Sequence, residues 1–322
     1  MQIIVPDITM AAIAPALAVF CAGLALLLLG AFVPMLARVV STGVSLGALT
    51  AAGALTLGLW GRAEQAFSGS LIIDGFGVFA ACAVLVAGFL TVLQSADTWC
   101  DSGKAFAHTE YHALLLFSIS GMLCMVTGND LLMIYLGLEV MSIAIYILAG
   151  FSKSEPASNE AAIKYLLLGS FSSCFYLYGC ALIFGVAGST NLGDILHALS
   201  GTAAVPGPML LAGVAFLLVG FGFKVSLAPF HMWTPDVYEG APTPITGFMA
   251  AGVKSATFVV FLRVFICALP TLRPAWDGAF TALAVVTMTL GNLAALRQEN
   301  IKRMLAYSSI AHSGYLLSLI HI

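Results

Sequence analysis

Apolar residues run along this chain in stretches of about twenty, broken by short clusters of glycine, asparagine and charge. Ten such runs can be read, at about 11–36, 41–60, 72–95, 111–127, 130–150, 160–187, 208–228, 244–268, 277–296 and 301–320. A bilayer core of about 30 Å needs roughly 20 apolar residues in helical form, so each run is near the spanning length. The interruptions carry turn chemistry: Gly61-Arg62, Asp97 to Glu110, Gly128-Asn129-Asp130, Ser152 to Asn159 and Arg297 to Lys302. The runs are continuous rather than alternating and rich in Leu, Ala and Gly, which predicts helices and excludes an outer-membrane barrel. The expected fold is all-α, a polytopic transmembrane helical bundle of about ten spans without strands.

Composition sharpens this picture. Of 322 residues, 61% are hydrophobic and 8% charged, against roughly 25% charged in a soluble domain. A chain so poor in charge cannot cover a water-facing surface of its size, which excludes a soluble enzyme, and its apolar content excludes disorder. The net charge of −3 includes no basic run able to track a phosphate backbone, so nucleic acid is not an expected partner and the lipid bilayer is. Cysteines at 21, 82, 100, 124, 174, 180 and 267 form no CxxC or Cys/His spacing and read as small hydrophobes within helices. No Lys or Arg precedes the first apolar run, which predicts a retained first helix rather than a cleaved signal peptide.

Orientation follows from the loop cations. With the N-terminus outside, the inner side holds Arg38, Lys104, Lys153, Lys164, Arg297, Lys302 and Arg303, and the outer loops hold Arg62, Arg263 and Arg273. The remaining cations, Lys224 and Lys254, fall within spans. Each charge at a helix centre costs about 2.5–3.5 kcal/mol on insertion scales, so an intramembrane charge points to function. Glu139 is the third, with Tyr135 at i−4 and Ser142 at i+3 making a polar stripe on an apolar helix.

Lys224 precedes Pro229, whose missing N–H and ring clash predict a helix break one turn beyond the lysine. Non-helical backbone at membrane depth survives only when buried in protein or beside water, and a broken helix next to a buried cation marks an ion-handling site. His231 follows the break and is placed to line the same cavity. Lys254 is central in its run, where desolvation favours release of its proton. His312 has Ser308 and Ser309 at i−4 and i−3, and an imidazole is a side chain able to accept and pass on a proton. His108 and His112 flank a loop, His197 falls in one, and His321 lies at the chain end. No GxGxxG after a strand, P-loop or four-cysteine cluster is present, so no redox cofactor is expected on this chain.

The stretch FKVSLAPFHMW at 223–233, continuing as TPDVYEGAPTP at 234–244, resembles the central motif of the antiporter-like subunits of respiratory complex I. The form of the tail is similar to that of NADH-quinone oxidoreductase subunit N. Gly137-Leu-Glu139, EAAIKYLLLG at 160–169 and IKRMLAYSSIAHSGY at 301–315 extend the resemblance over about 130–317. It implies a membrane-arm subunit that translocates protons while NADH is oxidised and quinone reduced. NADH, FMN, iron–sulfur clusters and quinone would then sit on partner subunits, in a bacterial-type inner membrane.

The resemblance also implies that Glu139 pairs with Lys224 and that Lys254 relays protons onward. The residues themselves suggest Pro229, His231, Tyr135, Ser142, Lys164, Ser308 and Ser309 in support and His312 continuing the path. The expected organisation is three helices in 1–110, a first five-helix repeat in 111–266, and the start of a second, inverted repeat in 267–322. Against about fourteen helices in the family, the expectation is a chain truncated at its C-terminus. Two other readings use the same charges: a cation/proton antiporter subunit without redox chemistry, and a non-pumping structural fragment.

Overall fold

The long apolar runs become helices because, without water, a backbone must satisfy its polar groups internally. The computed structural model describes residues 9–100, 107–200 and 207–321. Lys104 and the side chains of Arg38, Cys100, His108 and His321 lie outside the described set. In chain order the elements are α1 (Met10–Phe32), α2 (Pro34–Leu57), β1 (Glu64–Ala66), β2 (Leu71–Ile73), α3 (Gly75–Cys100), α4 (Ala107–Val126), α5 (Leu131–Ala149), α6 (Pro156–Ala187), α7 (Leu192–Ser200), α8 (Pro208–Lys224) and α9 (Trp233–Gly240). There follows a helical run of α10 (Thr243–Phe248), a π-helical turn (Met249–Val253), α11 (Lys254–Leu262) and a second π-helical turn (Arg263–Ala268). After a 3₁₀ turn at Pro270–Leu272 come α12 (Arg273–Ala295), α13 (Ile301–Ser318) and a 3₁₀ turn at Leu319–His321.

Eight helical stretches among the described residues are long and apolar enough to cross a membrane, and α8 is a shorter apolar helix. α13, read from sequence as a tenth span, is a helix of 18 residues but does not reach that standard; it carries Lys302, Arg303, His312 and four serines.

Residues are grouped in two compact units: 1–148 with 247–259, and 149–246 with 260–322. In the first, α1 packs on α2 and α4, and α3 packs on α2, α4 and the π turn at 249–253. Strands were not expected, yet β1 and β2 pair antiparallel, Glu64 opposite Ile73. The hairpin is anchored from outside: Thr127 O accepts from Ile72 N at 2.9 Å and Ser70 O accepts from Asn129 N at 2.9 Å. Asn129 Nδ2 donates to Gly69 O at 2.9 Å. A six-residue ribbon has no periodicity of its own to read, and this tertiary pairing stabilises it.

α4 and α5 meet backbone to backbone. A Cβ on Gly121 would lie 2.5 Å from Met141 N, and one on Gly137 would lie 2.7 Å from Gly121 O. This close approach sets the register of α5, and with it the level of Glu139. In the second unit α6 packs on α8 and α9, and α13 packs on α9 and α12. α6 ends on Gly188 in the left-handed conformation (φ 73°), with its N–H on Phe184 O. Asn300 caps α13, accepting from Lys302 N and Arg303 N.

His112 lies in α4, within the 111–127 run, buried and 3.4 Å from Thr42 Oγ1. Two readings of the sequence need correction. His197 lies in the last turn of α7 rather than in a loop. Arg263, counted among the outer-loop cations, is 4% exposed inside the π-helical turn that closes the 243–268 run. Loop assignment from charge alone failed there because tertiary packing, not hydropathy, covers the guanidinium.

Candidate functional site: a buried lysine at a broken helix

The break in the 208–240 segment begins at Lys224 itself, the last residue of α8. Sequence placed it a turn later, near Pro229. A proline disfavours helical backbone at the residue before it as well as hydrogen bonding at its own nitrogen, so unwinding spreads upstream. Leu227 N bonds to Gly222 O at 2.8 Å, five residues back, and Ser226 takes a φ of 63°. The Ala228–Pro229 peptide is cis.

Backbone groups released by the break find partners within the second unit. Ala228 N donates to Thr287 Oγ1 on α12 at 2.9 Å, and Trp233 Nε1 donates to Phe223 O at 3.0 Å. Thr234 Oγ1 donates to Ser226 Oγ at 2.7 Å. Irregular backbone is thus satisfied by protein, as burial at this depth demands.

Lys224 is 1% exposed, which removes the alternative of a side chain reaching out to an interface. Its Nζ lies 5.9 Å from the centroid of the Tyr165 ring, within cation–π range. Tyr165 in turn stacks on Trp233 at 4.4 Å with 7° between planes, and Phe223 stacks on the same indole at 5.2 Å. His231 is half-buried after the break; its carbonyl accepts from Thr234 N, and its Nδ1 is buried without a hydrogen-bond partner among the described residues. Pro229 is exposed.

In the first unit Lys254 is 5% exposed and opens α11 directly after the π turn, its N–H reaching back to Met249 O. Thr257 Oγ1 covers the Val253 carbonyl at 2.8 Å. A π turn inserts one residue into a helix and loosens its bond pattern, a feature frequent at functional sites. Sequence spacing had no signal for it. Glu139 occupies the middle of α5, half-buried, with Oε1 buried and unpartnered among the described residues. Tyr135 and Ser142 share its helix, and the Ser142 hydroxyl donates to Leu138 O. Glu139 and Lys254 therefore belong to the first unit, and Lys224, His231 and His312 to the second.

His312 lies on the exposed face of α13, its Nδ1–H donating to the Ser308 carbonyl at 2.8 Å. Ser309, half-buried, offers its carbonyl to Ser313 Oγ at 3.0 Å. Lys164, named from sequence as a supporting residue, is a hub: its Nζ is 2.7 Å from Glu160 Oε1 and 2.6 Å from Asp236 Oδ2. Asp236 also accepts from Arg303 Nη1 at 2.8 Å. These groups line a polar cleft of about 220 Å³ with Glu239 and Gly240. Burial works against the Asp236 carboxylate, but hydrogen bonds from Lys164 and Arg303 outweigh it and hold its carboxyl below the usual range. Asp236 and Glu239 were read only as letters of a motif, and Arg303 only as a motif letter and an inner-side cation; their separation in sequence hid that they meet. Among the described residues no group of three His, Cys, Asp or Glu side chains is placed to hold a metal.

Many apolar helices, a discontinuous helix with a buried lysine at its break and a second buried lysine after a π turn define a multi-pass membrane protein. Residues 128–322 match the family described as NADH:quinone oxidoreductase/Mrp antiporter, TM, and the chain belongs to that family. NADH-quinone oxidoreductase subunit N of Trichlorobacter lovleyi is 48% identical over 92% of this chain and 60% of its own length. The subunit N of Chloroflexus aggregans is 42% identical over 97% of this chain and 64% of its own. A chain of respiratory complex I from Thermus thermophilus, solved with bound aureothin, superposes with a TM-score of 0.78 at 36% identity, covering 95% of this chain and 64% of that one. The chain thus spans about 60% of the length of the curated relatives it matches.

Proposed function

We propose that this chain acts as a proton-translocating, subunit N-like component of NADH:quinone oxidoreductase in a bacterial inner membrane, with its N-terminus outside. It moves protons through titratable side chains and breaks no covalent bond. Electron transfer from NADH through FMN and iron–sulfur clusters to quinone takes place on partner subunits, and the chain binds other membrane-arm subunits and lipid. The observation that carries this reading is Lys224, 1% exposed at the point where α8 stops. A cation held there at a cost of about 2.5–3.5 kcal/mol is a proton carrier whose charge state the surrounding protein can shift.

In this mechanism Glu139 serves as counter-charge to Lys224 in one state of the cycle. Withdrawal of the counter-charge favours loss of the lysine's proton, which passes to Lys254. His312, with Ser308 and Ser309, continues the path. Residues 1–110, 111–266 and 267–322 form the three leading helices, the first repeat and the start of the second, inverted one. The subunit N identity of the relatives favours this reading over a redox-free antiporter.

The decisive experiment replaces Lys254→Met or Lys224→Met in the full-length subunit and measures proton uptake into inverted membrane vesicles driven by NADH. The expected result is a fall of about tenfold or more in protons moved per NADH while the complex still assembles. Normal pumping in either variant would refute the relay.

A further inference from the structure

A cluster of charges around α9 has no place in the relay itself. Asp236 sits one turn after Trp233, and its two oxygens are taken by different helices: Oδ2 by Lys164 of α6 at 2.6 Å, Oδ1 by Arg303 of α13 at 2.8 Å. The same Arg303 nitrogen reaches Glu239 Oε2 at 2.9 Å. Glu239 Oε1 accepts from Asn300 Nδ2 at 2.8 Å. Lys302 Nζ donates to the carbonyls of Glu239 and Ala241 at 2.8 and 2.7 Å, where the end of a helix favours a cation. Gly240 lets this end lie against α6, since a Cβ there would collide with the Ala157 carbonyl.

An eight-residue helix cannot hold itself; isolated helices below about 12–15 residues are marginal. The position of α9 is therefore set by what grips it. α6 grips it through two consecutive residues, Lys164 on Asp236 and Tyr165 on Trp233. The Tyr165 ring that stacks on Trp233 is the ring that faces the Lys224 ammonium at 5.9 Å. A single partly exposed ion pair is weak, but here one carboxylate ties three helices and the pairs share partners.

We propose that Arg303, Asp236 and Lys164 are positioning residues for Lys224. Their ion network pins α9, α9 carries Trp233, and Trp233 holds the Tyr165 ring against the ammonium. This rests on the reading of Lys224 as a proton carrier. The network sets the geometry in which the carrier works and does not itself take the proton.

The test uses the assembled complex in native membrane vesicles and reads the amount of complex, NADH oxidation and protons moved per NADH. Arg303→Gln and Asp236→Asn are expected to lower protons per NADH about twofold or more at an unchanged amount of complex, and Arg303→Lys, which keeps a cation between the carboxylates, to restore it. Tyr165→Leu reproduces the loss, and Tyr165→Phe, which keeps a ring, rescues it. The double variant Asp236→Asn/Tyr165→Leu loses no more than the worse single variant, because both act through one ring. Additive losses, or normal pumping in Arg303→Gln, overturn the proposal. Should Arg303→Gln fail to assemble, Trp233→Leu cuts the same link within the fold, and normal pumping there overturns it equally. Lys224→Met, run in parallel, separates the two ideas: pumping that survives it refutes the carrier, whereas its loss beside normal pumping in Arg303→Gln refutes only the positioning.

Discussion

At the scale of single residues, a few of the chain's charges lie where they are costly. Lys224 and Lys254 are buried in separate compact units, and each lies at an irregularity of its helix, a break in one case and a π turn in the other. Both were legible in sequence because a lysine inside an apolar run needs no partner to stand out. The π turn was not, since it differs from an α turn by one residue of slack that no side-chain pattern encodes. Gly137 shows the opposite case: two positions before Glu139, it reads as one small residue among many, yet a side chain there would strike the Gly121 carbonyl and Met125 N on α4. Gly137→Val is expected to destabilise the protein by about 1–3 kcal/mol through overpacking. A lowered midpoint of thermal unfolding in detergent checks this, and an unchanged midpoint would mean that α4 and α5 separate at no cost.

Among the elements, α9 is the most dependent on its surroundings. Its sequence announces a turn, with Pro235 and Gly240 near its ends, and its stability comes from α6 and α13. The Asp236 carboxyl lies below its ordinary value in the folded protein. A depressed carboxylate contributes stability that is present above its unfolded value of about 3.9 and is lost as pH falls through the folded one. Amide hydrogen exchange of residues 233–240 should therefore accelerate below about pH 4 relative to α8, and Asp236→Asn should show the fast exchange already at neutral pH. Exchange in α9 that stays slow and pH-independent in the wild type would show that the ion pairs do not hold it.

For the whole molecule, the proposed orientation rests on a cation count that, with Arg263 set aside as buried, is Arg62 and Arg273 outside against seven inside. Arg62 is exposed in the turn after α2. With the N-terminus outside, Arg62→Cys in intact cells should react with a membrane-impermeant thiol reagent, and Lys153→Cys should react only after the membrane is opened. The reverse pattern would invert the topology.

What the sequence by itself determined follows from interactions that are local or one-dimensional. Helical spans come from unbroken apolar runs, the break from Pro229, and the odd charges from their cost in lipid; the family came from motifs read in a line. What only the tertiary structure decided depends on groups distant along the chain. The partners of the broken backbone, Thr287 and Trp233, lie 59 and 10 residues from the groups they satisfy. Asp236 and Arg303 are 67 residues apart, and Asn129 reaches Gly69 across 60. Hydropathy states what must leave water, but a hydrogen bond or ion pair needs two groups in place, and that placement exists only once the helices have packed.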